Sequence, residues 1–123
     1  MTKTRIIIYQ DLRGNVLLLD WLGGLPKRDR AKCVEKIERL ANYGHMLRRP
    51  DCDYLADGVY ELRARAGNVN YRMLYAFVGK QIILLSHGCT KEDKLDRKEI
   101  DRAIINLASY RQNPDRHAYK GAY

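Results

Sequence analysis

Residues 58–77 read GVYELRARAGNVNYRMLYAF. Apolar and polar residues alternate on either side of a Gly67-Asn68 turn, the pattern of two β-strands joined as a hairpin. The spacing predicts strands over 59–66 and 69–78. Because strand residues alternate between faces, Tyr60, Leu62 and Ala64 lie on one side and Glu61, Arg63 and Arg65 on the other. In the second strand Tyr71, Met73, Tyr75 and Phe77 form an apolar row, and Arg72 stands on the opposite row with Asn70, Leu74 and Ala76. If both apolar rows face the helices, Arg63, Arg65 and Arg72 converge on the free face of the sheet.

Outward from the hairpin the pattern continues. VGKQ makes a short turn into IILLSH, a third strand over 81–87 that is apolar on both faces, as a central strand is. Upstream, RIIIY at 5–9 reads as a first strand. In NVLLLDWLGGLP, Asn15 is a plausible N-cap, Leu17, Leu18, Trp21 and Leu22 make an apolar stripe, and Gly23-Gly24 stops the helix. Pro26 suits the first turn of a second helix over 27–43, whose core face is Ala31, Cys33, Val34, Ile37, Leu40 and Ala41 and whose outer face is basic. Gly44 ends it, and 45–58, with Pro50 and Asp57-Gly58 as breakers, reads as a connection.

Near the C-terminus, Asp96 and Glu99 have capping-box spacing, and Ile100, Ala103, Ile104, Leu107 and Ala108 form the apolar face of a helix that Asn113-Pro114 ends. The order β-α-α-β-β-β-α implies a small α+β domain over 1–113, an antiparallel sheet with helices packed on one face, followed by a mobile tail over 114–123.

Composition narrows the function. With 123 residues the chain has room for one domain, and no apolar run approaches the ~20 residues that span a bilayer. The start MTKTRIIIYQD lacks the apolar core and cleavage site of a signal peptide, so a cytoplasmic location with no membrane partner is expected. Cys33, Cys52 and Cys89 are odd in number and far apart, which argues against a disulfide framework, and His87 and Cys89 lack the further ligands of a zinc site. No metal or other cofactor is expected. The net charge of +8 favours a polyanionic partner, most often nucleic acid.

Two readings of the arginines are open. They are a solvated outer face, or they are a site for one or two phosphates, since cross-strand neighbours lie about 5 Å apart. Glu61 could pair with one of them. The third strand ends in SHGCTKEDK, which adds His87, Lys91 and Lys94. Tyr71 and Tyr75 sit in a uniformly apolar row and are read as core rather than as base-stacking rings.

The run LADGVYELRARAGNVNYRMLYAF, then IILLSHGCTKEDK and EIDRAIINLASY, resembles the RelE/HigB toxins of bacterial type II toxin–antitoxin modules, in particular the phage-related HigB-like branch. That branch carries a DG-x-x-ELR strand, a YR-x-x-Y strand and a basic turn leading into the last helix. The resemblance implies a metal-independent endoribonuclease that cleaves mRNA, usually on the ribosome, with a cognate antitoxin as partner. It places Arg63 and Arg72 where the family has catalytic or phosphate-binding residues, and Lys91 in the basic turn. Cys89 and Glu92 depart from the pattern of that turn, and Tyr110 is the candidate for the late aromatic of some relatives. Cleavage would use the ribose 2′-OH against the adjacent phosphate. Arg63 and Arg72 suit the phosphorane charge, Arg65 and Lys94 suit phosphate contact, and His87 and Lys91 compete for the acid and base roles. A ParE-like protein that acts on DNA gyrase without cutting RNA, and an inactive prophage relic, are the alternatives.

Overall fold

The computed structural model describes residues 3–90 and 95–121. The chain forms strands β1 (Arg5–Ile8), β2 (Cys52–Ala56), β3 (Val59–Ala66), β4 (Val69–Gly79) and β5 (Ile82–Thr90). The helices are α1 (Leu17–Gly23), α2 (Lys27–Tyr43), α3 (Arg97–Gln112) and α4 (Pro114–His117), with a 3₁₀ turn at Gly44–Met46. This is the expected α+β class, with helices packed against one sheet.

The strands lie in the order β1-β5-β4-β3-β2. The three strands read from the sequence form an antiparallel meander. Two features depart from the expected sheet. β1 runs parallel to β5, Ile7 beside Leu84, so the sheet is mixed. The segment read as a connection contains β2, an edge strand paired antiparallel with β3. Asp53 within it and the flanking Asp51 and Asp57 hid it, and Asp53 is accommodated because Arg49 and Arg63 pair with it.

The helices also divide between the two faces. Leu18 and Leu22 of α1 and Cys33, Ile37 and Leu40 of α2 pack on Leu62, Tyr71, Met73, Tyr75, Ile83 and Leu85. Ile100, Ala103 and Ile104 of α3 pack on the other face, against Val59, Leu74 and Cys89. The face that carries the arginines is therefore covered by α3 at one end and open at the other.

A bulge in β5 decides which side chains meet α3. Leu74 pairs with His87 and Tyr75 with Leu85, leaving Ser86 as the extra residue. Gly88 then falls on the α1 face, where a Cβ would lie 2.2 Å from the Trp21 ring, so only glycine fits this close approach.

Local caps differ in detail from expectation. Asn15 does not cap α1; Val16 stands at that position, and Asn15 instead donates its backbone N–H to Asp11. Asp96 does cap α3 by accepting from Lys98 N–H at 3.1 Å, but Glu99 turns inward to His87. The expected tail is built into the fold over its described part: Ala118 bridges Tyr9, Tyr119 N–H donates to Ile8 O, and the buried His117 ring stacks on Tyr9. Among the described residues no helix is long and apolar enough to cross a membrane.

Candidate functional site

Arg63 and Arg72 are direct cross-strand partners on β3 and β4. Between them lies Glu61, two residues from Arg63 on the same face and only 2% exposed. Arg63 Nε donates to Glu61 Oε2 at 2.9 Å and Nη2 lies 2.7 Å from the same oxygen. Arg72 Nε stands 3.4 Å from Glu61 Oε1, an atom with no hydrogen-bond partner. Arg63 also reaches Asp53 Oδ2 at 3.3 Å, and Asp53 in turn holds Arg49 at 3.0 Å. Three guanidiniums are thus strung over two carboxylates, an arrangement that fixes their directions and leaves a positive excess.

Beyond Cys52, Asp51 O still accepts the Arg63 backbone N–H at 2.8 Å, and a cleft of about 520 Å³ there is lined by Lys36, Asp51, Arg63, Arg65, Tyr71 and Arg72. Arg65 stands opposite Asn70 and donates to Gly67 O at 3.1 Å. Asp51 is the acidic wall. Lys36 at 2.6 Å and Arg39 at 2.8 Å hold it, and the Lys36 hydrogen bond is the largest cause that keeps its carboxyl below the ordinary range. Tyr71 and Tyr75 are core residues, as read; the Tyr71 hydroxyl donates to Asp29, which together with burial pushes it up to about 12.

The sequence-derived site is partly assembled. Arg63, Arg65 and Arg72 come together. His87 does not join them at a surface: it is 2% exposed, beneath α3. Its Nδ1 meets Ser86 Oγ at 2.8 Å, its Nε2 meets Glu99 Oε1 at 3.2 Å, and Asn106 donates to Ser86 Oγ at 2.9 Å. Burial lowers the His87 pKa more than the Glu99 carboxylate raises it, with Arg102 also pushing it down. A neutral, enclosed imidazole held at both nitrogens is a structural tie between β5 and α3. Lys91 and Lys94 lie outside the described residues.

Sequence reading gave Glu61 as a possible partner but not as the shared centre of the cluster, and it missed Asp53 because β2 was unseen. Among the described residues no group of three or more His, Cys, Asp or Glu could hold a metal ion.

Residues 20–108 match the family described as phage derived protein Gp49-like (DUF891). The chain belongs to this family. The family is of the RelE toxin type, and the matched span runs from α1 through most of α3, including the whole arginine cluster. No significant match is found among curated proteins.

Proposed function

We propose that the protein is the toxin of a type II toxin–antitoxin pair and cleaves mRNA, on the ribosome, at the Arg63–Arg72 cleft. The observation that carries this reading is the pair of arginines aimed by one buried carboxylate at the mouth of a basic cleft. A structural face has no need of a buried Glu61; orienting two guanidiniums does.

In this reading Arg63 and Arg72 grip the scissile phosphate through paired N–H donors and stabilise the phosphorane as charge develops. Arg65 holds a neighbouring phosphate. Arg72 pairs with Cys89, one residue before the end of β5 at Thr90, and Lys91 follows directly in sequence. Proton transfer is assigned to Lys91 and a further phosphate contact to Lys94, the basic residues that follow β5 in the sequence. His87 keeps β5 and α3 together and touches no substrate. A cognate antitoxin would neutralise the basic face.

The test is message cleavage in a purified translation system. Wild type should cut a programmed mRNA and Arg72→Ala should lose at least roughly a hundredfold in rate, the weight of one positioned donor to a developing charge. Cleavage at the wild-type rate by a folded Arg72→Ala protein contradicts the assignment.

A further inference from the structure

On the opposite side of the 47–53 segment lies a second concavity of about 440 Å³. Its floor is aromatic: Tyr54 of β2, Tyr60 of β3, and Tyr75 and Phe77 of β4. The rings hold one another. Tyr60 stacks on Tyr75 at 5.3 Å and 17°, and meets Tyr54 and Phe77 edge-on at 5.0 and 5.5 Å. Tyr54 is 54% exposed, yet its hydroxyl accepts Gly58 N–H at 3.0 Å, which fixes the ring at the groove mouth.

The rim is basic. Arg48 Nη1 donates to His45 O at 2.7 Å and Leu47 O at 3.2 Å, which holds its guanidinium against the wall. Arg49 stands on Asp53 at 3.0 Å. Asp53 lines this groove and also pairs with Arg63, which lines the cleft already described. One carboxylate therefore ties the two concavities together across the edge of the sheet.

We propose that this groove takes a base of single-stranded RNA, stacked on Tyr54, while the same strand crosses the Arg63–Arg72 cleft. The proposal rests on the nuclease reading for the second contact only. One exposed ring, Tyr54, backed by the partly buried Tyr60 and rimmed by guanidiniums matches a nucleotide, which presents a π face and a phosphate together. An apolar helix of a protein partner would leave Arg48 and Arg49 facing its greasy side. The groove supplies grip and register along the strand rather than a reacting group, and its sequence preference is weak because every base has a π face.

The experiment measures affinity for a short fluorescent single-stranded RNA by anisotropy, with wild type, Tyr54→Phe and Tyr54→Leu, alongside cleavage of a translated message. Circular dichroism and urea midpoints establish that both variants fold. Tyr54→Phe should keep most of the wild-type affinity, because the stacking ring remains and only its tie to Gly58 N–H is lost. Tyr54→Leu should bind about tenfold or more weakly, the weight of one stacked base. Wild-type affinity in Tyr54→Leu overturns the proposal, and if that variant instead loses capture of its co-expressed antitoxin, the groove belongs to the protein partner. Weakened binding by Tyr54→Leu with no message cut by wild type keeps the groove and overturns the nuclease reading alone.

Discussion

Glu61 is the residue on which the local electrostatics turn. Its carboxylate separates Arg63 from Arg72, and one of its oxygens is buried without a hydrogen bond. Glu61→Gln would keep the volume and remove the charge, leaving two guanidiniums in mutual repulsion. We expect unfolding free energy to fall by about 1–3 kcal/mol, less than for a fully buried pair because Arg63 is 40% exposed. Phosphate should restore more of that stability than chloride at equal ionic strength, and urea denaturation in the two salts measures it. His87 gives a second residue-level expectation. Its folded-state pKa lies below its ordinary value of 6.5, so the folded protein binds fewer protons there than the unfolded chain. The stability it contributes is complete above that value and is lost as pH falls through it toward the lowered folded value. Between about pH 7 and pH 5, unfolding free energy should drop more steeply in wild type than in His87→Asn, read by denaturation at each pH.

The elements record where sequence and structure agree. Strong single-period segments were legible: α2 over 27–43 and β3 over 59–66 stand where the apolar spacing put them. Arg63 and Arg72 were legible as one face because pairing across a tight turn fixes register. β2 was not, since Asp53 breaks its strand pattern and is balanced by Arg49 and by Arg63 of the neighbouring strand. The position of α3 was not legible either: Leu74, Val59 and Cys89 are too scattered to announce a second buried face. His87 looked like a surface titrating group because nothing local shows that Glu99 and Asn106 return over it. Gly88 tests the close packing of α1 on β5. Gly88→Ala drives a methyl into the Trp21 ring and should cost about 1–3 kcal/mol, with Trp21 emission reporting the displacement. The last segment tests the other edge. Ending the chain at Asn113 removes the Gln10–His117 and Ile8–Tyr119 backbone bonds and should lower stability by roughly 1–3 kcal/mol, seen as a reduced urea midpoint.

At the scale of the whole molecule, the +8 charge is concentrated into function by partial neutralisation. Lys36, Arg39, Arg49 and Arg63 are each paired with an aspartate along the 51–53 segment, which builds two connected concavities at one sheet edge. RNA held there displaces counterions, so affinity should fall with salt, and each cleft arginine replaced by alanine should reduce the log–log slope by about 0.7. The measurement that bears most directly on the account is expression of wild type and of Arg63→Ala/Arg72→Ala from a tight promoter, with growth and mRNA 5′-ends mapped together. The account predicts growth arrest and new ends inside translated regions with wild type, and neither with the double variant. Growth arrest by wild type with no new 5′-ends, or the same new ends from the double variant, would contradict it.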